Sequence, residues 1–194
     1  MDHADHVRLL SKGVPAHHGA GDGQDFRAAS EIVVWADLGA GGGAFTLALG
    51  ELLPPGATIH AIDRDAAALE TLASRYARLA RRRGSAPRLE TRVADFTRDV
   101  GLAGLDGIVM ANSLHFTRDK APVLERVRGM LKTGAPLLLV EYDADRGNPW
   151  VPYPISFETW RSLAPASGFT EPMLLDSEPS RFMSRIYSAA AMKG

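Results

Sequence analysis

A carboxylate followed by four glycines in five positions is the feature of this sequence with the clearest chemical meaning. In the stretch VVWADLGAGGG, strand-forming residues lead to Asp37, the glycines follow from Gly39 to Gly43, and an apolar helical pattern begins at Ala44. Glycine adopts positive φ without a steric cost and lets a ligand approach the main chain closely. The free N–H groups at the start of the helix also point toward this turn. The stretch therefore predicts a strand, a tight turn and a helix that together bind a nucleotide-like ligand.

The charge of Asp37 distinguishes two kinds of nucleotide. Gly39, Gly41 and Ala44, with Asp63 at the end of the next predicted strand, also have the spacing of a dinucleotide-binding turn. A carboxylate beside the turn would repel a pyrophosphate, whereas it would attract a ligand with an ammonium or sulfonium group. S-adenosylmethionine carries both of these cations and no phosphate. We therefore favour S-adenosylmethionine, and an NAD(P)-dependent oxidoreductase is the alternative.

The composition bears on several kinds of partner and site. The 22 basic and 23 acidic side chains give a net charge of −1, so bulk charge does not favour a nucleic-acid partner. The absence of cysteine excludes disulfides, thiolate metal sites and a cysteine nucleophile. The polar N-terminus and the lack of a long apolar run predict a cytoplasmic protein without a membrane segment. We predict no metal site, because the N-terminal histidines lack partners at ligand spacing; they are His3, His6, His17 and His18.

Strand and helix patterns alternate from Ile32 onward, which is typical of a parallel sheet covered on both faces by helices. We predict an N-terminal helix and a flexible Gly-rich linker over residues 1–30, and a single domain over residues 31–194. The last two strands are separated only by turn residues and should pair antiparallel. The predicted strands span residues 32–37, 57–63, 88–94, 105–111, 137–140, 171–177 and 182–190. The predicted helices span residues 2–12, 44–53, the segment after Asp65, 119–132 and 156–166.

The Asp37, Gly39, Gly41 and Gly43 spacing resembles the first motif of the class I S-adenosylmethionine-dependent methyltransferases. The resemblance covers roughly residues 30–194 and implies an α/β fold, a three-layer αβα sandwich with a mostly parallel seven-stranded sheet. Its strand order would be 3-2-1-4-5-7-6, with an antiparallel hairpin at the C-terminus. In this family Asp37 would face the ammonium group of the cofactor, directly or through water. The chain would accordingly be a methyltransferase with S-adenosylmethionine as its cofactor, and a non-catalytic S-adenosylmethionine-binding protein is a second alternative.

A ligand of an open parallel sheet lies outside the carboxyl ends of the strands, where polar residues of this sequence recur. The resemblance implies that the glycine turn and Asn112 surround the methionine part of the cofactor. It implies that Asp63 accepts hydrogen bonds from both ribose hydroxyls and that Arg64 lies along the adenine. Asp95 would bind the adenine amino group, and Phe96 would pack on the ring. The predicted cofactor-binding residues are Asp37, Leu38, Gly39, Ala40, Gly41, Gly43, Asp63, Arg64, Asp95, Phe96 and Asn112.

The segment NSLHF, which follows the fourth predicted strand, resembles the Asn-x-Leu-His segment of bacterial small-molecule methyltransferases. Methyl transfer from a sulfonium needs a base only if the acceptor must first lose a proton. His115 is the predicted catalytic residue, because histidine in general is suited to proton transfer near neutral pH and this one lies in the loop after the fourth strand. Glu141, Tyr142 and Asp143 are further candidates. Packing of His115 against Phe116 is the structural alternative.

The acceptor must be selected by segments outside the common scaffold. These are the N-terminal helix, which covers the pocket in many members of the family, and the loop 143–154. Trp150, Tyr153 and Phe157 either line an apolar wall or seat this loop on the following helix. The fourth strand is not followed by the Asn/Asp-Pro-Pro-aromatic segment of many DNA-base and protein-amide N-methyltransferases. We therefore predict a small molecule as the acceptor, and the sequence leaves the oligomeric state open.

Overall fold

A computed structural model of the protein describes residues 1–15, 32–180, 182–183 and 185–194. The strands in these residues are β1 Val34–Leu38, β2 Thr58–Asp63, β3 Arg88–Val93, β4 Gly107–Ala111, β5 Pro136–Tyr142, β6 Met173–Pro179 and β7 Arg185–Met192. The α-helices are α1 His3–Ser11, α2 Ala44–Leu52, α3 Ala66–Arg83, α4 Ala121–Met130 and α5 Phe157–Ala166. A short 3-10 helix, Leu114–Phe116, follows β4.

The strands form one sheet in the order β3-β2-β1-β4-β5-β7-β6, which confirms the predicted α/β class and strand order. β1 to β5 are parallel, since long connections carry the chain back between them. β7 is antiparallel to both β5 and β6, which confirms the predicted C-terminal hairpin. β4 is buried along its whole length, as is typical of a parallel strand covered on both faces.

Alternate residues of the central strands contribute to two hydrophobic cores, one on each face of the sheet. α1, α2 and α3 cover the first face, and α4 and α5 cover the second. On β5, Leu138 and Val140 belong to the first core, and Leu137 and Leu139 belong to the second. This alternation has the two-residue period of a β-strand and produces the three predicted layers.

α1 is part of the helical layer on the first face, where it packs against α2 and the hairpin of β6 and β7. Leu9 and Leu10 are fully buried in the first core. Arg8 pairs with Asp176 and Glu178 of β6. Two adjacent leucines of α1 thus attach this helix to the sheet face, and its predicted role in covering the pocket stays a prediction.

β5 is longer than the sequence predicts. The strand continues through Glu141 to Tyr142, although the sequence indicates an end at Val140. Glu141 is fully buried, and a histidine after β4 pairs with its carboxyl group. The predicted linker, with His17 and His18, lies outside the described residues. Within the ranges that the structure describes, no helix combines the length and apolar character needed to cross a membrane.

Candidate cofactor site and active site

The glycine turn connects the end of β1 to the start of α2. Gly39, Gly41 and Gly43 have φ angles of 83°, 50° and 84°, a region that residues with a Cβ rarely adopt. The main-chain N–H groups of Gly39 and Ala40 donate to the carbonyl of Ile62 in β2, at 2.8 and 3.0 Å. The turn is thereby attached to the neighbouring strand, and α2 begins directly after it without a side-chain cap.

The three glycines are required for different reasons. A Cβ on Gly39 would collide with the Cβ of Ser113, and one on Gly43 would lie 2.5 Å from Cγ of Leu72. Packing within the protein therefore leaves no space for a side chain at Gly39 or Gly43. A Cβ on Gly41 would meet no described atom within 4 Å. Gly41 thus lies on the open side of the turn, where a ligand would approach the main chain.

We expect Gly41→Ala to reduce the free energy of cofactor binding more than it reduces the free energy of unfolding. The positive φ costs roughly 1–2 kcal/mol of folding free energy, and the new methyl group would occupy the ligand's side of the turn. Gly43→Ala should lower the melting temperature more strongly, because its Cβ collides with Leu72. Gly104→Ala is the matched control, since Gly104 has a φ of 66° and open space but lies in the loop before β4.

Thermal denaturation and calorimetric titration with S-adenosylhomocysteine, the demethylated cofactor, separate the two effects. Equal cofactor affinity of the Gly41 and Gly104 variants would contradict the role assigned to Gly41.

Leu38 and Ala40 contribute their main chain to the turn. The side chain of Leu38 is buried in the second core, and that of Ala40 is buried in the first. The carbonyl of Leu38 accepts a 2.7 Å hydrogen bond from the hydroxyl of Ser113. The residues after β4 are thereby joined to the end of β1.

Asp37 lies beside the glycine turn and faces the first turn of α2. The residue is 1% exposed, and its carboxylate accepts a 2.6 Å hydrogen bond from Oγ1 of Thr46. Burial raises the pKa of Asp37 to about 6; the hydrogen bonds from Thr46 oppose this shift, and the charge of Asp63 adds to it. The side chain acts on the site through its charge, and its predicted contact with an ammonium group stays a prediction.

Asp37→Asn should stabilise the folded protein at neutral pH while it weakens cofactor binding. The pKa of Asp37 rises from 3.8 to about 6 on folding, so the folded state retains a proton that the unfolded state has lost. The free-energy cost of ionising the buried carboxylate is small below pH 3.8, which is the pKa in the unfolded state. It grows as the pH rises to about 6 and has its full value above that pH. Asparagine removes this cost, which is at most about 3 kcal/mol.

Chemical denaturation of both proteins in mildly acidic and in mildly alkaline buffer checks the sign of this effect. The stability gained by Asp37→Asn should be larger in the alkaline buffer, and a variant that is less stable there than the wild type would contradict the assignment.

Two further carboxylates lie at the ends of β2 and β3. Asp63 accepts hydrogen bonds from the main-chain N–H groups of Gly41 and Asp65, at 2.7 and 2.9 Å. Asp95 accepts hydrogen bonds from the hydroxyl and the main-chain N–H of Thr97, at 2.7 and 2.9 Å, and these contacts lower the pKa of Asp95. Asp63 therefore connects β2 to the glycine turn, and Asp95 is held in its ionised form.

The mouth of the turn is negatively charged. Asp37, Asp63 and Asp95 form no ion pair with any residue that the structure describes. Arg64 is exposed, and its charge acts with that of Arg98 only as a minor cause of the lowered pKa of Asp95. Unpaired carboxylates around a turn favour a cationic ligand over a phosphorylated one.

Phe96 and Asn112 border the turn from β3 and β4. Cε1 of Phe96 lies 3.3 Å from the position of a Cβ on Gly39. Asn112 has a φ of 52°, and its buried side-chain oxygen has no hydrogen-bond partner among the described residues. A strained backbone and an unpaired buried acceptor each cost about 1–3 kcal/mol and are common at functional sites. The oxygen of Asn112 is therefore available to a donor on a ligand.

His115 and Glu141 form a buried pair at the ends of β4 and β5. Nδ1 of His115 lies 2.8 Å from Oε2 of Glu141, and the main-chain N–H of His115 donates to Oε1 at 3.1 Å. Glu141 is fully buried and His115 is 3% exposed. Because a carboxylate only accepts hydrogen bonds, the contact with Glu141 assigns a proton to Nδ1, and in the neutral imidazole Nε2 is then the acceptor. The ring also packs on Phe116, with centroids 4.3 Å apart, as the structural alternative expects.

The pair joins two residues that the sequence analysis names as separate candidates for proton transfer. Nε2 of His115 makes no hydrogen bond with the described part of the chain. Glu141 thus has the position of a partner that orients the imidazole. The sequence feature that could have indicated this pairing is a glutamate directly after the apolar residues of β5.

The loop after β5 docks on the turn that contains His115. The main-chain N–H of Tyr153 donates to the carbonyl of His115 at 3.0 Å, and Nζ of Lys120 donates to the carbonyl of Tyr153 at 2.8 Å. Phe157 packs edge to face on a tyrosine of β7, with centroids 5.6 Å apart. Trp150 is 74% exposed. Phe157 therefore packs α5 against β7, while Trp150 and Tyr153 stay candidates for an apolar wall.

The histidines near the N-terminus have partners other than a metal ion. His3 pairs with Glu51 at 2.9 Å, and His6 packs on the ring of Phe45 with centroids 4.8 Å apart. In the described ranges, no group of three or more histidine, aspartate or glutamate side chains is placed to hold a metal ion.

Comparison with known structures relates this geometry to other proteins. An arsenic(III) S-adenosylmethionine methyltransferase from Chlamydomonas reinhardtii is 21% identical, with a TM-score of 0.67 over 97% of this chain and 73% of that one. The carbon methyltransferase CurJ is 20% identical, with a TM-score of 0.69 over 87% of this chain and 50% of that one. An S-adenosylmethionine-dependent methyltransferase from Methanosarcina mazei is 17% identical, with a TM-score of 0.65 over 84% and 93%. At these identities the likeness establishes a shared fold.

A comparison of sequences identifies the family. No curated protein sequence matches the chain. Residues 36–137, which are 102 of the 194 residues, match the family model described as a methyltransferase domain. The matched segment includes the glycine turn, Asp63, Asp95 and His115. The predictions of a methyltransferase and of its fold are thereby confirmed, and this chain belongs to the methyltransferase domain family.

Proposed function

We propose that the protein transfers a methyl group from S-adenosylmethionine to a small-molecule acceptor that loses a proton in the reaction. The observation that carries the cofactor assignment is a group of three carboxylates at the strand ends, with Asp37 and Asp63 beside the glycine turn and Asp95 at the end of β3. Their charge favours the ammonium and sulfonium groups of this cofactor over the pyrophosphate of a dinucleotide. Two of the similar solved structures are named for the same methyl donor.

The positions of the site residues support the roles implied by the resemblance. Asp63 has lone pairs for ribose hydroxyls besides its two main-chain contacts. Oδ2 of Asp95, which makes no hydrogen bond with the described residues, would accept from the adenine amino group, and Phe96 and Arg64 would border the ring. The oxygen of Asn112 would accept from the ammonium group. Because the bound cofactor supplies an activated methyl group, the protein has only to orient the acceptor and exclude water.

His115 is the proposed general base. Nε2 takes a proton from the acceptor as the new bond to the methyl group forms, and Glu141 stabilises the imidazolium that results. An acceptor that already presents a free lone pair does not need this base. The buried pair therefore favours a hydroxyl group or an acidic C–H group as the acceptor. Trp150 and Tyr153, as proposed parts of the acceptor pocket, would favour an apolar molecule.

A transfer assay with S-adenosylmethionine labelled at the methyl group tests the proposal. The wild type should label the small-molecule fraction of a cell extract, and His115→Gln should label it at least about 100-fold more slowly. Binding of S-adenosylhomocysteine without transfer to any fraction would favour the non-catalytic alternative. Binding of NADH without binding of S-adenosylhomocysteine would favour the oxidoreductase, and label in protein or nucleic acid would contradict a small-molecule acceptor.

The cytoplasmic location and the bacterial type of this enzyme stay predictions from the sequence. The absence of a nucleic-acid partner also stays a prediction, and it rests on the net charge of −1.

A further inference from the structure

A groove on the helical layer of the first face is lined by three arginines and three other residues. It encloses about 440 Å³. None of the proposed cofactor or catalytic residues lines it. Its lining residues are His3, Leu47, Arg75, Arg78, Leu79 and Arg82.

These arginines lack the acidic neighbours that usually balance cations on a helix. From Arg75 to Arg83, α3 carries five arginines and no aspartate or glutamate. At three and four positions on either side of Arg78 stand one serine and three arginines, so like charges adjoin on one helix face. Arg78 and Arg82 form no ion pair with a described residue. The helix dipole favours cations only in the last turn and does not account for Arg75 and Arg78.

We propose that this groove binds a small soluble anion that carries at least two phosphate groups. Planar guanidinium groups form paired hydrogen bonds with phosphate oxygens, and three of them converge on one concavity. The volume of about 440 Å³ is within the range of small-ligand sites. Leu47 and Leu79 would contact an apolar part of the ligand. A concave site of this size favours a small ligand over a nucleic-acid strand, which follows an extended basic channel.

Arg75 connects the groove to the cofactor site. Its Nη1 donates a 2.7 Å hydrogen bond to the carbonyl of Gly42 in the glycine turn. The remaining N–H donors of the guanidinium are free to face an anion, which would hold the side chain in the position that supports the turn. Occupancy of the groove should therefore raise the affinity for S-adenosylhomocysteine several-fold. This coupling rests on the proposed function, whereas anion binding itself does not.

Calorimetric titration with tripolyphosphate, without cofactor and at near-physiological ionic strength, tests the site. We expect saturable binding at one site, weakened about tenfold or more by Arg78→Gln with Arg82→Gln. Arg126→Gln with Arg146→Gln is the matched control, because both residues are exposed, lie outside the groove and change the net charge equally. Thermal denaturation establishes that each variant is folded, and Arg78→Gln alone replaces the pair if the pair does not fold.

Three outcomes would overturn the proposal. They are the absence of saturable binding by the wild type, an equal loss of affinity in the control pair, and tighter binding of a short single-stranded oligonucleotide than of tripolyphosphate. In the first two cases the arginines serve only to cover Leu47 and Leu79 with their alkyl stems. Failure of the proposed cofactor site would leave the tripolyphosphate titration unchanged, so the two proposals are tested separately.

Discussion

Replacing Asp63 with alanine is expected to lower the affinity for S-adenosylmethionine and its demethylated product by a factor of about 100 or more. The carboxylate is the proposed acceptor for two ribose hydroxyls, and each hydrogen bond to a charged group contributes about 1.5–3 kcal/mol. Asp63 also accepts a 2.7 Å hydrogen bond from the N–H of Gly41, so that alanine releases the glycine turn as well. Calorimetric titration with S-adenosylhomocysteine measures the change, with binding in the micromolar range expected for the wild type.

Two further variants separate the contributions of charge and turn geometry. Asp63→Asn retains one oxygen for the N–H of Gly41 but loses the charge, so its affinity should lie between those of the wild type and the alanine variant. Glu70→Ala removes an equal charge from an exposed position on α3 and should bind like the wild type. Unchanged affinity of Asp63→Ala would refute the assignment of this residue to the ribose.

Replacing His115 with glutamine is expected to lower kcat by a factor of about 100 to 10,000, which is the usual contribution of a general base. The main-chain N–H of residue 115 can still donate to Glu141, so the buried carboxylate keeps a partner and the fold should persist. Cofactor affinity should stay close to that of the wild type, because His115 is not among the proposed cofactor ligands. Steady-state rates with the acceptor found in the labelling assay, together with calorimetry, measure the two quantities.

Glu141→Gln tests the partner of the base. The variant removes the charge that stabilises the imidazolium and leaves one oxygen for the two donors of His115, which are its Nδ1–H and its main-chain N–H. We expect kcat to fall by a factor of about 10 or more with little change in KM, and Glu141→Asp should recover part of the loss. If the pair had only a structural role, Glu141→Gln would lower the thermal stability and leave the kcat of the folded enzyme unchanged. If His115→Gln kept most of its activity, the acceptor would not require a base.

The features of the site that the sequence predicts are those produced within one short stretch of chain. The glycine turn is one example, because positive φ at Gly39, Gly41 and Gly43 is a local requirement of the strand-to-helix connection. The placement of Asp63 and Asp95 is another. Each follows a strand directly, and the ends of parallel strands meet at one edge of the sheet.

The orientation of individual side chains depends on neighbours that are distant in sequence. Asp37 follows the predicted strand as expected, yet its carboxylate contacts Thr46 because the start of α2 packs against the end of β1. The pairing of His115 with Glu141 requires β4 to lie beside β5 in a register that brings the two strand ends together. Neither of these two contacts can be inferred from the spacing of residues along the chain.

The sequence by itself determined the α/β class of fold, the glycine turn and the acidic residues at the ends of the first three strands, whereas the strand order came from the resemblance to the class I methyltransferases. Local conformational preference and the alternation of apolar residues depend on adjacent positions only, and so they can be inferred from the order of residues. The tertiary structure decided which side chains face each other: the burial of Asp37, the partner of His115, the position of α1 in the helical layer and the groove that α1 and α2 form beside the arginines of α3. These arrangements arise from packing between elements far apart in the chain, where the burial of apolar surface selects the contacts.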